Sequence, residues 1–138
     1  MKYFRTGLCL CALVTAVSLA GETRTLEAGS LSVDSLLGKY DGKMTLHNGR
    51  EQAFDYQIEV LSVDKEANTV ALIAYCSNCE TKEMKRNKCE IKEIGKEIKY
   101  SCKATYTQEE YIFNGETLKA TGSGKKFPYS INVEKLTK

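Results

Sequence analysis

The sequence predicts an all-β chain: an antiparallel up-and-down meander of about eight strands, closing into a small barrel, with a short N-terminal helix. Three observations lead there. From Lys39 onward, apolar and polar residues alternate with period two. Turn signals built on Gly and Asn separate the alternating runs, and they are too short for the crossover that parallel strands need. A sheet of that kind has two open edges, and closure into a barrel removes both.

The N-terminal stretch stands apart from this pattern. In "MKYFRTGLCLCALVTAVSLA" (residues 1–20), Lys2 and Arg5 precede an apolar run from Gly7 to Val17, and Ser18-Leu19-Ala20 ends it with small residues at the two positions a signal peptidase reads. The run is shorter than the ~18 apolar residues that span a bilayer. Cys9 and Cys11 both follow leucine, whereas a lipoprotein site places a small residue there. Residues 1–20 are therefore expected to be a signal peptide, and the protein to be secreted or periplasmic. Lys2 and Arg5 account for the whole excess of 20 basic over 18 acidic side chains, so residues 21 to 138 are neutral. Neutrality argues against nucleic acid as a partner.

Residues 21–31, "GETRTLEAGSL", lack periodicity and read as a flexible arm. A single barrel domain is expected over 32–138. It opens with "SVDSLLG", where Ser32 can cap a short helix, Leu36 and Leu37 give it an apolar side and Gly38 can end it. In the first strand Tyr40, Gly42, Met44 and Leu46 share a face, and in the second Phe54, Tyr56, Ile58 and Val60 do so. Val70 to Tyr75 is apolar on both faces, and Phe127, Tyr129, Ile131 and Val133 alternate near the C-terminus. "HNGR", "VDKEANT", "IGKE" and "FNGE" mark turns. Parity then constrains the register. A three-residue loop, Asn48 to Arg50, with Gly49 at positive φ, opposes Met44 to Phe54 and Gly42 to Tyr56 on the apolar side. The same argument opposes Ser62 to Val70 around "DKEAN".

"CEIKEIGKEIKYSC" (residues 89–102) reads almost the same from both ends. A two-residue turn at Gly95-Lys96 opposes Ile91 to Tyr100 and Cys89 to Cys102, at a non-hydrogen-bonded site where Cα atoms lie about 4.5 Å apart, within disulfide range. Pairing Cys89 with Cys102 leaves Cys76 for Cys79. Four cysteines allow three connectivities, and sequence alone leaves all three open. Zinc would need a second C-x2-C knuckle, so no metal site is expected. A redox role for Cys76-Ser77-Asn78-Cys79 would draw on a helix starting at "ETKEMKR", without the βαβ frame that such sites use.

Little else resembles catalytic machinery. His47 reads as a solvated turn residue, and "KATGSGKK" lacks two residues of a phosphate loop and reads as a flexible turn. "ETKEMKRNK" reads as a solvated charged loop. No enzyme activity, cofactor or membrane span is expected. The inward face is more informative: Tyr40, Tyr56, Tyr100 and Tyr129 fall on it beside Phe54 and Phe127, and buried tyrosine hydroxyls need partners.

"SVDSLLGKYDGKMTL", a short helix entering a Gly-aromatic first strand, resembles the start of a lipocalin-like (calycin) barrel, with Gly38-Lys39-Tyr40 standing where that family has Gly-x-Trp. The resemblance implies binding of a small apolar ligand inside the barrel. Tyr40, Met44, Phe54, Tyr56, Ile58, Leu72, Tyr100, Phe127 and Tyr129 would line that pocket. The other expectation is a disulfide-stapled module that binds a protein through a loop from Ser77 to Lys88, as an enzyme inhibitor or surface-interaction factor does.

Overall fold

A computed structural model describes residues 29–124 and 127–137; the expected signal peptide and most of the expected arm lie outside the described residues. Eight antiparallel strands follow one another round a closed barrel: β1 (Gly38–His47), β2 (Glu51–Asp64), β3 (Thr69–Tyr75), β4 (Glu83–Ile94), β5 (Ile98–Lys103), β6 (Gln108–Phe113), β7 (Thr117–Ser123) and β8 (Pro128–Lys135). β8 returns to pair with β1, so no strand is left at an edge. Among the described residues no helix is long and apolar enough to cross a membrane.

Where a short helix was expected, the chain makes a single 3-10 turn, Val33–Leu36, whose first turn is capped by the Ser32 side chain accepting from the Asp34 N–H. Leu36 is fully buried and the Tyr40 hydroxyl donates to its carbonyl at 2.7 Å. The Tyr40 ring meets Phe113 edge-on, with centroids 5.9 Å apart. Lys135 lies near both rings and donates to the Ser35 carbonyl. This end of the barrel, called the base here, is thereby plugged. Leu31, assigned by sequence to the arm, packs on the same core.

The β1–β2 register is the expected one: Met44 opposes Phe54, Gly42 opposes Tyr56, and Gly49 has φ +99°. The β2–β3 connection differs. Val70 opposes Val63 rather than Ser62, the loop is Lys65 to Asn68, and Asn68 takes φ 62°. A bulge at Leu61 absorbs the extra residue and turns that leucine outward, 53 % exposed. The β4–β5 turn differs in the same way. Ile94 opposes Ile98, so the loop is the three residues Gly95 to Glu97, and Gly95 does not take the positive φ a II′ turn would need. A bulge at Lys92 then restores Ile91 opposite Tyr100, and Cys89 bonds Cys102 across a Cα separation of 4.2 Å. Two departures from the simple hairpin cancel.

Candidate functional site

The barrel interior changes character along its axis. Toward the base it is apolar: Val60, Val70, Ile91, Ile98, Phe113, Leu118 and Val133 are all buried. At the other end, the mouth, an ion pair sits inside the wall. Glu109 lies on the inward face of β6 with Tyr111 and Phe113, and Arg86 reaches it from β4. Arg86 Nε donates to Glu109 Oε1 at 3.1 Å and Nη2 to Oε2 at 3.4 Å. Their side chains are only 9 % and 2 % exposed.

Two tyrosines complete the shell. Tyr111 donates its hydroxyl to Glu109 Oε1 at 2.8 Å, and Tyr129 donates to Oε2 at 2.5 Å. Both carboxylate oxygens thus accept from a guanidinium and a phenol, which is what a buried charge requires. Burial works against the charge on Arg86, but the Glu109 carboxylate beside it outweighs that, and its pKa rises.

Backbone register explains how Tyr129 gets there. Glu109, Gly122 and Tyr129 occupy one rung across β6, β7 and β8. Gly122 presents no side chain to the interior, so the Tyr129 ring lies across it and its hydroxyl arrives at the carboxylate two strands away. A Cβ on residue 122 would sit 2.4 Å from Tyr129 Cζ. Gly122→Val is expected to expel the ring and cost about 1–3 kcal/mol, the range for forcing bulk into a packed interior. The check is urea denaturation together with the Tyr129 ring resonances; an unshifted Tyr129 spectrum would contradict the packing.

The next rung runs round six strands as Tyr100, Tyr111, Ala120, Ile131, Met44 and Phe54. Tyr100 and Tyr111 stack face to face, centroids 4.7 Å apart and 5° from parallel. The Tyr100 hydroxyl differs from its neighbours: it is buried and has no hydrogen-bonding partner in the protein, alone among the buried side-chain polar atoms described.

Of the residues expected to line a pocket, Tyr40, Tyr56, Ile58, Leu72 and Tyr100 are buried, while Met44, Phe54 and Tyr129 are half-buried toward the mouth. Phe127 is a correction. It precedes β8, whose pairing with β7 starts at Pro128, and is 41 % exposed at the rim, because the alternation holds only where the strand is paired. The expected 77–88 loop is also shorter: β4 starts at Glu83, so the free connection is residues 76–82, and Arg86 faces the interior rather than water. "KATGSGKK" is not simply a flexible turn, since β7 runs through Ser123. Cys76 pairs with Cys79.

Sequence reasoning missed Glu109, Arg86 and Tyr111. In "QEEYIF" the signal was available, because Tyr111 and Phe113 outweigh Ile112 and period two then carries Glu109 inward. For Arg86 the signal was slight, since in "EMKRNK" only Met84 marks the inward parity that Arg86 shares.

Burial raises the pKa of Tyr40, Tyr56, Tyr100, Tyr111 and Tyr129, and for the last four a second charged or phenolic oxygen nearby adds to it. The unfolded chain releases these protons near pH 10, whereas the folded barrel retains them. Stability from these groups is therefore fully present below pH 10 and falls as pH rises beyond it. Tyrosinate absorbance from the five should appear only together with loss of the β-sheet circular dichroism signal. Ionisation of these five with the sheet intact would contradict their burial.

Concave regions also occur on the outer wall. A groove of 510 Å³ is lined by Lys39, Gln57, Glu59 and Tyr75, among others, and one of 430 Å³ by Glu110, Ile112, Lys119 and Asn132, among others. The named side chains alternate with inward ones, so neither groove is the interior.

Fold and site together define a closed eight-stranded antiparallel barrel with a plugged base and a charged, tyrosine-lined upper interior. No family model, curated protein or solved structure matches the chain.

Proposed function

We propose that this is an exported, lipocalin-like barrel that binds one small, mainly apolar molecule in the upper interior. The observation that carries this reading is the Tyr100 hydroxyl. A buried donor left without an acceptor costs about 1–3 kcal/mol, and every other buried side-chain polar atom described has its partner. A ligand bearing one acceptor atom removes that cost. Half-buried Met44 and Phe54, on the same rung, supply apolar contact for its body. The Arg86–Glu109 pair gives the interior a second polar element. Paired cysteines and the leader-like N-terminus support export.

Tyr100→Phe tests this from two sides. Without ligand, removing the unpartnered hydroxyl should leave stability unchanged or raise it. Protein unfolded, stripped and refolded should recapture a species from a lipid extract of its source, seen by native mass spectrometry, and Tyr100→Phe should weaken that capture by up to about tenfold, the worth of one hydrogen bond. No recaptured species, or a Tyr100→Phe protein destabilised without ligand, counts against the reading.

A second reading, a protein-binding module, draws on the exposed aromatics of the mouth loops: Tyr106 is 66 % and Phe127 41 % exposed. Its working surface would be these loops and residues 77–82. Partner capture that survives replacement of 77–82 by a Gly-Ser linker together with Tyr106→Ser and Phe127→Ser would eliminate it.

A further inference from the structure

The two disulfides have different surroundings. Cys89–Cys102 lies in the core, each residue 1 % exposed, and joins neighbouring strands. Cys76–Cys79 joins the ends of a four-residue turn; Cys76 is fully buried while Cys79 is half-buried. That turn is also held without its sulfurs. Cys79 N–H donates to the Cys76 carbonyl at 3.3 Å, Cys76 N–H to the Lys82 carbonyl at 2.9 Å, and Lys82 Nζ to the Ser77 carbonyl at 2.8 Å.

Three consequences follow from this arrangement. A ring this short constrains the unfolded chain least, so opening it forfeits less stability than opening the larger one. The backbone bonds keep the two sulfurs close after reduction, which favours re-closure. Lys82 fixes a positive charge on the turn, and such a charge favours thiolate as nucleophile and leaving group.

We propose that Cys76–Cys79 is a thiol–disulfide exchange site that accepts electrons from a dithiol, while Cys89–Cys102 is inert. A thiolate of the dithiol attacks the more accessible sulfur, Cys79 Sγ. The Sγ–Sγ bond breaks, a mixed disulfide forms on Cys79, and Cys76 leaves as thiolate and takes a proton. The second thiolate of the dithiol attacks its own sulfur in the mixed disulfide and releases Cys79, which is protonated in turn. Two electrons and two protons pass to the protein, and the dithiol departs as a disulfide. The geometry serves a small dithiol or a dithiol protein alike.

The test uses folded, leader-free protein at neutral pH, treated with dithiothreitol in one arm and a reduced thioredoxin-type protein in the other. Thiols are trapped by alkylation and located by peptide mapping. Cys76 and Cys79 should label while Cys89 and Cys102 do not, with circular dichroism unchanged, and whichever arm is faster identifies the source. Glutathione, a monothiol, should leave its adduct on Cys79. Lys82→Met should slow the first step roughly threefold, because the leaving thiolate loses the positive charge held on the turn. Joint reduction of both pairs, reduction only on unfolding, resistance in both arms, or an adduct on Cys76 overturns the proposal.

Discussion

Glu109→Ala should lower the free energy of unfolding by about 3–5 kcal/mol, the cost of stranding one partner of a buried ion pair. A domain of this size has about 5–15 kcal/mol in total, so the variant would stand near the limit of folding. Arg86, with its side chain 9 % exposed, would keep its charge inside the wall without the carboxylate, and the Tyr111 and Tyr129 hydroxyls would lose their acceptor. The paired change Arg86→Met with Glu109→Leu strands no charge and should recover at least half of the loss. Urea denaturation of the two variants measures both quantities. A Glu109→Ala cost below about 1 kcal/mol would show that water reaches Arg86 in place of the carboxylate.

Replacing Cys89 and Cys102 together by alanine should cost about 3 kcal/mol, because the bond closes a fourteen-residue stretch of the unfolded chain. The midpoint of thermal unfolding should fall by on the order of ten degrees. The sheet should survive, since Glu90–Ser101 and Ile91–Tyr100 still pair and Ile91 and Tyr100 remain buried. Differential scanning calorimetry reads the shift, and circular dichroism at room temperature reads the sheet. Loss of β structure at room temperature would mean that the bond forms the hairpin rather than stapling it.

Those two residue pairs also mark how far sequence reasoning reached. Period two gave β1, β2, β3 and β8 with their inward faces, apart from Phe127, but not the first half of β4, which reads as a charged loop; parity gave the β1–β2 register because no bulge interrupts it. At Leu61 and Lys92 the same reasoning misplaced the turn by one residue, since a bulge leaves the apolar face intact on either side and so leaves no trace in the alternation. Cys89 and Cys102 were nevertheless matched, the bulge at Lys92 compensating for the longer turn. The polar cluster stayed hidden for a different reason. Alternation carries Glu109 inward with Tyr111 and Phe113, but a carboxylate stays inside only with a partner, and nothing local to "QEEYIF" names Arg86 as that partner. Gly122 was hidden too, because a glycine that makes room for a distant ring looks in sequence like any turn residue.

The pairing of β1 with β8 bears on how fast this protein reaches its native state. Seven of the eight strand contacts join neighbours in the chain and close short loops, whereas the eighth brings Gly42 against Val133. Loop-closure entropy places so distant a contact late, and a closure of that span slows folding relative to the seven local pairings. At this seam a Cβ on residue 42 would come within 2.2 Å of the Asn132 carbonyl oxygen. Backbone meets backbone there without a side chain between them, so the join fits only when both strands have their final twist. Until that moment the first and last strands each offer an open edge to another chain, and a newly made molecule is at its most aggregation-prone in the interval before its two ends meet.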